Sequence, residues 1–425
     1  MQYFSTNNRN HLVDFEMAVL QGQAEDGGLY FPEKVAKLDA GFINALPHLS
    51  NAEIAYQVIK PYVGSCITPD ALAAICNYTV DFEIPLININ ADVAALELYH
   101  GPTLAFKDIG ARFMSSCLSY FSKNNDKKTT VLVATSGDTG SAVANGFLNV
   151  PGVDVVILYP KNKVSYIQEL QLTTLGHNIT ALEIEGTFDD CQSLVKQAFT
   201  DAEIKSHLAL TSANSINVAR WLSQQFYYFY AIKQNQNRPA IMSVPSGNFG
   251  NICAGLLAKV AGLPITKFVA ACNANQVFMQ YLENGTYKPQ QAIATISNAM
   301  DVGNPSNFVR IMHLFNNHYN LVKEAVVSYS ISDAETKATI KDVYQKYGYI
   351  LDPHGAVAYA ALQRYSPTGI ILETAHPIKF NTTVESAINT QVPMPASVTN
   401  LLRLKKDALL LPKTYETFKH YLMQR

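Results

Sequence analysis

From Thr129 onward the chain repeats one local pattern: an apolar run rich in Val and Ile, a polar or glycine-bearing turn, then a helical stretch. Each repeat reads as a strand feeding a helix. The runs at 131–135, 154–159, 178–185, 240–244, 268–272 and 369–372 are apolar on both faces, which predicts a mostly parallel sheet covered by helices. Helices are expected at 141–148, 189–199, 252–260 and 337–347, with one long aromatic helix at 221–234. Right-handed crossovers collect the loops at the carboxyl ends of such strands on one rim. SGDTG (136–140), PSGNFGN (245–251) and ETAHP (373–377) each follow a predicted strand, so these three polar turns are expected to meet in one crevice. The first 80 residues read mainly as short helices and turns and hold no evident catalytic constellation.

Composition narrows what that crevice can serve. A chain of 425 residues is long enough for two or three domains. Its 48% apolar and 16% charged residues suit an ordinary globular protein rather than a disordered or fibrous one. With 32 basic against 34 acidic residues the net charge is −2, which supplies no global field for nucleic acid or an anionic membrane. No apolar run is long enough to span a bilayer; the stretch 254–265 is interrupted by Lys259 and Pro264. The start, MQYFSTNNRN, lacks a basic segment followed by an apolar one, so no cleaved secretion signal is expected and the cytoplasm is the default. Six cysteines lie scattered without a C-x-x-C pair; they are expected to be reduced thiols, and no metal site is expected.

One lysine stands out by its setting. Lys107 follows Leu104, Ala105 and Phe106 and precedes a helical segment; apolar neighbours would desolvate its amine, lower its pKa and let it attack an aldehyde. Considered alone, a snorkelling surface lysine explains it as well. In VPSGNFGN, Gly247 and Gly250 clear the backbone of Cβ atoms so that the amides of Ser246 to Asn251 can wrap a phosphate at a helix start. The pattern is neither the dinucleotide nor the Walker fingerprint, and a tight turn without a ligand remains open. Thr135, Ser136, Asp138 and Thr139 can receive a carboxylate or a pyridoxal oxygen, or simply cap a helix. Thr374 can meet a pyridine nitrogen or serve as an N-cap. Asn217 and Arg220 lie one helical turn apart and, with Asn214 and Ser215, can face one anion, the alternative being a solvated helix start. Lys163 can add charge to the same pocket. His354 reads as structural.

Taken together, LYHGPTLAFKD, ATSGDTGSA, SANSIN, VPSGNFGN and TAHP, with GGLYFP near the amino terminus, resemble the threonine synthase family in its bacterial and fungal form. The similarity spans most of the chain. It implies the tryptophan-synthase-β-like fold (fold type II), two parallel-sheet α/β lobes and an added domain at 1–80. The catalytic region would then be 81–425, its smaller lobe roughly 95–210 and its larger roughly 211–425. It implies pyridoxal 5'-phosphate bound to Lys107 as a Schiff base. The cofactor phosphate would lie on Gly247, Asn248, Phe249, Gly250 and Asn251, and its ring nitrogen against Thr374, with Asp138 also at the cofactor. The substrate carboxylate would meet Thr135, Ser136 and Thr139, and the substrate phosphate Lys163, Asn214, Ser215, Asn217 and Arg220. The implied reaction takes O-phospho-L-homoserine and water to L-threonine and phosphate, in a monomer or small homo-oligomer. Where some relatives carry Ser-Pro, this chain has Ser165-Tyr166. A phospholyase or dehydratase on the same scaffold, or a catalytically silent cofactor-binding protein, are the competing readings.

Overall fold

A computed structural model describes residues 1–122 and 128–425. Its centre is two sheets. A six-stranded sheet runs in the order Val326–Ser330, Ile265–Cys272, Ala240–Pro245, Gly369–Glu373, Val93–Glu97 and Leu86–Asn88. Only the edge strand Leu86–Asn88 is antiparallel to its neighbour. A second, five-stranded sheet is parallel throughout, in the order Leu409–Pro412, Ile179–Glu185, Val153–Pro160, Thr129–Ala134 and Ala209–Ser212. The central strands are buried along nearly their whole length, because helices cover both faces and leave no side for polar alternation. The expected fold class is the observed one.

The amino-terminal region holds more strand than its sequence suggested. Tyr3–Ser5 pairs antiparallel with both Asn8–Val13 and Tyr30–Pro32. The middle strand is short, and its aromatic side chains are buried against the rest of the molecule, so periodicity had too few residues in which to appear. Two longer helices follow, Asn51–Val63 and Pro69–Thr79. The first is opened by a capping box between Ser50 and Glu53.

The long helix expected at 221–234 is broken instead. It runs as Val218–Leu222, a 3-10 turn at Ser223–Gln225, and Phe226–Gln234. At the break, Ser223 Oγ donates to the Ala219 carbonyl at 2.9 Å and Gln224 Nε2 to the Arg220 carbonyl at 3.0 Å, so side chains compete with the helical ladder. The three polar turns nevertheless lie where the strand pattern put them, at carboxyl ends of strands, at 135–140, 246–250 and 374–377, and a fourth turn at 213–217 joins them after the strand Ala209–Ser212, which the pattern did not mark.

Candidate active site

Lys107 is the first residue of the helix Lys107–Phe121, one step further into the helix than the sequence indicated. The loop before it is held by Asp108, whose carboxylate accepts from Thr103 N at 2.9 Å and Thr103 Oγ1 at 2.5 Å. Leu104 is forced into the left-handed region at φ 59°, a conformation a branched side chain adopts only when its surroundings insist. Two backbone bonds insist: Phe106 N donates to the Thr374 carbonyl at 2.9 Å, and His376 N to the Leu104 carbonyl at 3.1 Å. Lys107 and Thr374, distant in sequence, are thus stitched together. Burial pushes the Lys107 amine down to about 8; Asp138 opposes the shift, while Arg220 and Lys379 reinforce it.

The turn 246–251 leads into the helix Gly250–Ala261. Phe249 sits in the left-handed region at φ 60°, which aims the following amides out of the helix end, where an anion is favoured. Gly247 has no room for a side chain, since a Cβ would lie 2.6 Å from the Met300 Cα and 3.1 Å from the Ala299 carbonyl oxygen. Asn248 is fixed on both ends of its amide: Nδ2 donates to Ser215 Oγ at 2.6 Å, and Oδ1 accepts from Ser306 N at 2.6 Å. The Asn251 side chain turns inward, where Oδ1 accepts from Tyr227 and Tyr228 at 2.7 and 2.6 Å. Its backbone, not its amide group, faces the crevice end of the helix.

Across the crevice, Thr135 Oγ1 accepts from the amides of Gly137 and Gly140 at 3.0 and 2.8 Å. Thr135 therefore shapes the SGDTG turn from within rather than presenting its hydroxyl outward. Gly137 adopts φ 137° and lies against the Gln168 amide, a place only glycine fills without strain. The helix starts at Asp138, with Ser136 and Thr139 half-buried beside it. Asp138 Oδ1 receives Lys379 Nζ at 2.6 Å and Gln168 Nε2 at 2.8 Å. Burial alone would raise the Asp138 carboxyl, but Lys379 and then Lys107 hold it well below the usual carboxylate range.

The SANSIN turn divides its residues. Arg220 is buried, its Nη1 donating to the Ala213 carbonyl at 2.8 Å. Arg220 Nε and Asn214 Oδ1 are buried without a partner among the described residues, as polar atoms awaiting a ligand would be. Asn217 does not join them: its Oδ1 caps the helix through Ala219 N, and its Nδ2 donates to the Val19 carbonyl at 2.9 Å. Lys163 is exposed on a turn after Val153–Pro160. The Ser165-Tyr166 departure leaves that turn intact, because Tyr166 occupies the first helical position and Ser165 forms a capping box with Gln168, where proline and other residues serve alike. His354 is structural, its Nδ1 2.5 Å from Asp352 Oδ2 and its Nε2 accepting from Ala299 N at 3.3 Å.

Lys379, Gln168 and Thr103 escaped the sequence reading. Lys379 had a usable signal, a lysine between Ile378 and Phe380 just after TAHP, the same apolar setting that singled out Lys107. Gln168 and Thr103 had none, since their roles are contacts with distant segments.

The chemistry of the donor set is specific. A desolvated amine beside a carboxylate, an amide-lined helix start for an anion, and a hydroxyl residue tied to the amine's own loop fit pyridoxal phosphate, and the parallel-sheet lobes place the protein among the fold type II enzymes that use it. Residues 85–371 match the family model for pyridoxal-phosphate dependent enzymes, residues 2–80 that for the threonine synthase N terminus, and residues 355–422 that for the threonine synthase C-terminal region. Threonine synthase from Haemophilus influenzae is 43% identical over 96% of this chain and 97% of its own length. The crystal structure of threonine synthase from Escherichia coli superposes with a TM-score of 0.93 at 39% identity, covering 100% of both chains. The structure of PLP-bound threonine synthase from Brucella melitensis gives 0.93 at 34% identity, over 100% of this chain and 99% of that one. The chain belongs to the threonine synthase family of pyridoxal-phosphate-dependent enzymes.

Proposed function

We propose that this protein converts O-phospho-L-homoserine and water to L-threonine and inorganic phosphate, with Lys107 as cofactor lysine and proton carrier. The observation that carries the reading is the pairing of a desolvated Lys107 amine with an anion-binding turn at 246–251 and a second polar turn whose Arg220 and Asn214 atoms are unpaired. Bound there, pyridoxal phosphate supplies a conjugated system that stores the electron pair released when a proton leaves the substrate carbon. The amides of 247–251 hold its phosphate, and Thr374 offers its ring nitrogen a hydroxyl rather than a carboxylate. The amides and hydroxyls of 136–139 receive the substrate carboxylate at a helix start. Arg220, Asn214 and Ser215 bind the substrate phosphate and stabilise it as it leaves. Lys107, once free, takes a proton at Cα and moves protons at Cβ, which its lowered affinity near neutral pH suits. The buried crevice keeps water out until the phosphate has gone.

Residues 1–80 form, on this reading, an amino-terminal domain, and 81–425 the catalytic region; the strand Leu409–Pro412 returns to the smaller lobe's sheet. A single assay tests the function: phosphate and L-threonine released in equal amounts from O-phospho-L-homoserine are expected. Equal or greater release of 2-oxobutyrate would replace the proposal with a phospholyase.

A further inference from the structure

Lys379 lies on the 3-10 turn Pro377–Phe380, beyond the strand that delivers Thr374. Its side chain is 0% exposed. Its Nζ makes two contacts that reach different parts of the molecule: Asp138 Oδ1 at 2.6 Å and the Thr103 carbonyl at 2.8 Å. Asp138 starts a helix of the five-stranded lobe, whereas Thr103 belongs to the loop that shapes Lys107. Gln171, on a helix of the five-stranded lobe, also donates to the Thr103 carbonyl at 3.1 Å. One ammonium thus closes a circuit through three segments that surround the Lys107 amine. A fully buried lysine is costly unless its charge is matched; here the Asp138 carboxylate pairs with it directly and the buried Asp108 carboxylate attracts it as well, and Asp138 also faces Lys107.

We propose that Lys379 is a positioning residue of the reaction: its ammonium pins the Asp138 carboxylate beside the Lys107 amine and locks the SGDTG turn onto the Thr103–Lys107 loop. The inference rests on the cofactor reading of Lys107. It follows that Lys379 and Asp138 act on Lys107 with opposite sign. The charged groups facing Lys107 are Asp138, which favours its protonated form, and Arg220 and Lys379, which disfavour it. Removing the Lys379 charge leaves Asp138 free to hold a proton on Lys107; removing the Asp138 charge does the reverse.

The test compares Lys379→Gln, Lys379→Arg and Asp138→Asn as holoenzymes. In Lys379→Gln the limb of the kcat profile on which rate rises with pH is expected to move upward by roughly one pH unit. In Asp138→Asn it is expected to move downward. Lys379→Arg keeps the charge and is expected to hold the limb near that of the unaltered protein. Amide hydrogen exchange across 137–146 is expected to speed up about tenfold in Lys379→Gln, a readout independent of turnover. A limb that stays put in Lys379→Gln overturns the proposal, even if kcat falls, because a merely structural lysine would lower the rate without moving it. Should that variant fail to fold, an unmoved limb in Asp138→Asn overturns it equally. Unaltered protein with no visible cofactor absorbance sinks the reading of Lys107 and this inference with it. Absorbance retained with unmoved limbs sinks this inference alone.

Discussion

At the scale of single residues the protein uses burial to set proton affinities, lowering that of an amine and raising that of a neighbouring carboxyl. The Lys107 amine is pushed down to about 8, so a step in which it takes a proton is expected to accelerate as pH rises through that value. Replacing it with alanine is expected to abolish visible cofactor absorbance and borohydride labelling and to cut turnover about a thousandfold or more. A reduced adduct found on another lysine would reject the site. Glu373, next to Thr374, goes the other way. Burial first, and the Asp352 carboxylate next, raise its carboxyl well above the usual range. The folded chain therefore keeps a proton that the unfolded chain releases above about pH 4. Its contribution to stability is complete below that pH and declines as pH rises toward the folded value. Glu373→Gln removes the decline. In urea denaturation the variant is expected to match the unaltered protein near pH 4 and to gain about 1.4 kcal/mol for each higher pH unit across that window. A difference independent of pH would contradict the assignment.

At the scale of elements the working parts are turns between a strand and a helix, and Gly247 shows how tightly they are built. A Cβ at 247 would meet backbone atoms of Ala299 and Met300 rather than a flexible side chain, so Gly247→Ala is expected to cost about 1–3 kcal/mol. It should also weaken pyridoxal phosphate binding at least about tenfold in direct titration, because the amides at the helix start would be displaced. Unchanged affinity would remove this turn from the cofactor site. Most of these turns were legible beforehand: SGDTG, PSGNFGN and ETAHP each follow a buried strand, and hydrophobic runs mark such strands locally. The small amino-terminal sheet was not legible, because its two buried strands, Tyr3–Ser5 and Tyr30–Pro32, are three residues each and are stabilised by distant aromatic packing. Nor was the break at Ser223–Gln225, where side-chain hydrogen bonds overrule a helical pattern.

At the scale of the whole molecule, Arg310 joins the amino-terminal region to the crevice. Fully buried, it donates to the carbonyls of Tyr30, Ser215 and Ile216 and to Asn307 Oδ1. Its guanidinium lies 4.6 Å from the Trp221 ring centre. It binds the back of the SANSIN turn while Asn248 binds the Ser215 hydroxyl. Arg310→Met would strand several buried acceptors and is expected to cost about 3 kcal/mol. Hydrogen exchange at 28–32 should rise with it, and a loss of affinity for O-phospho-L-homoserine should accompany the loosened turn. Exchange unaltered in that segment would show that the amino-terminal region is held by other contacts.

What the sequence determined by itself was local: strand, turn and helix in succession, the apolar setting of Lys107, and the glycines that expose backbone amides. Each depends on neighbours a few residues away, and short-range sterics and hydrophobic periodicity write such features directly into the chain. Only the tertiary structure decided which polar groups meet. It turned Asn217 to Val19 and Asn251 to two tyrosines, left Arg220 and Asn214 with unpaired atoms, and brought Lys379 onto Asp138. Those pairings join segments far apart in sequence, and their energy comes from burial and charge matching that exist only once the lobes have packed together.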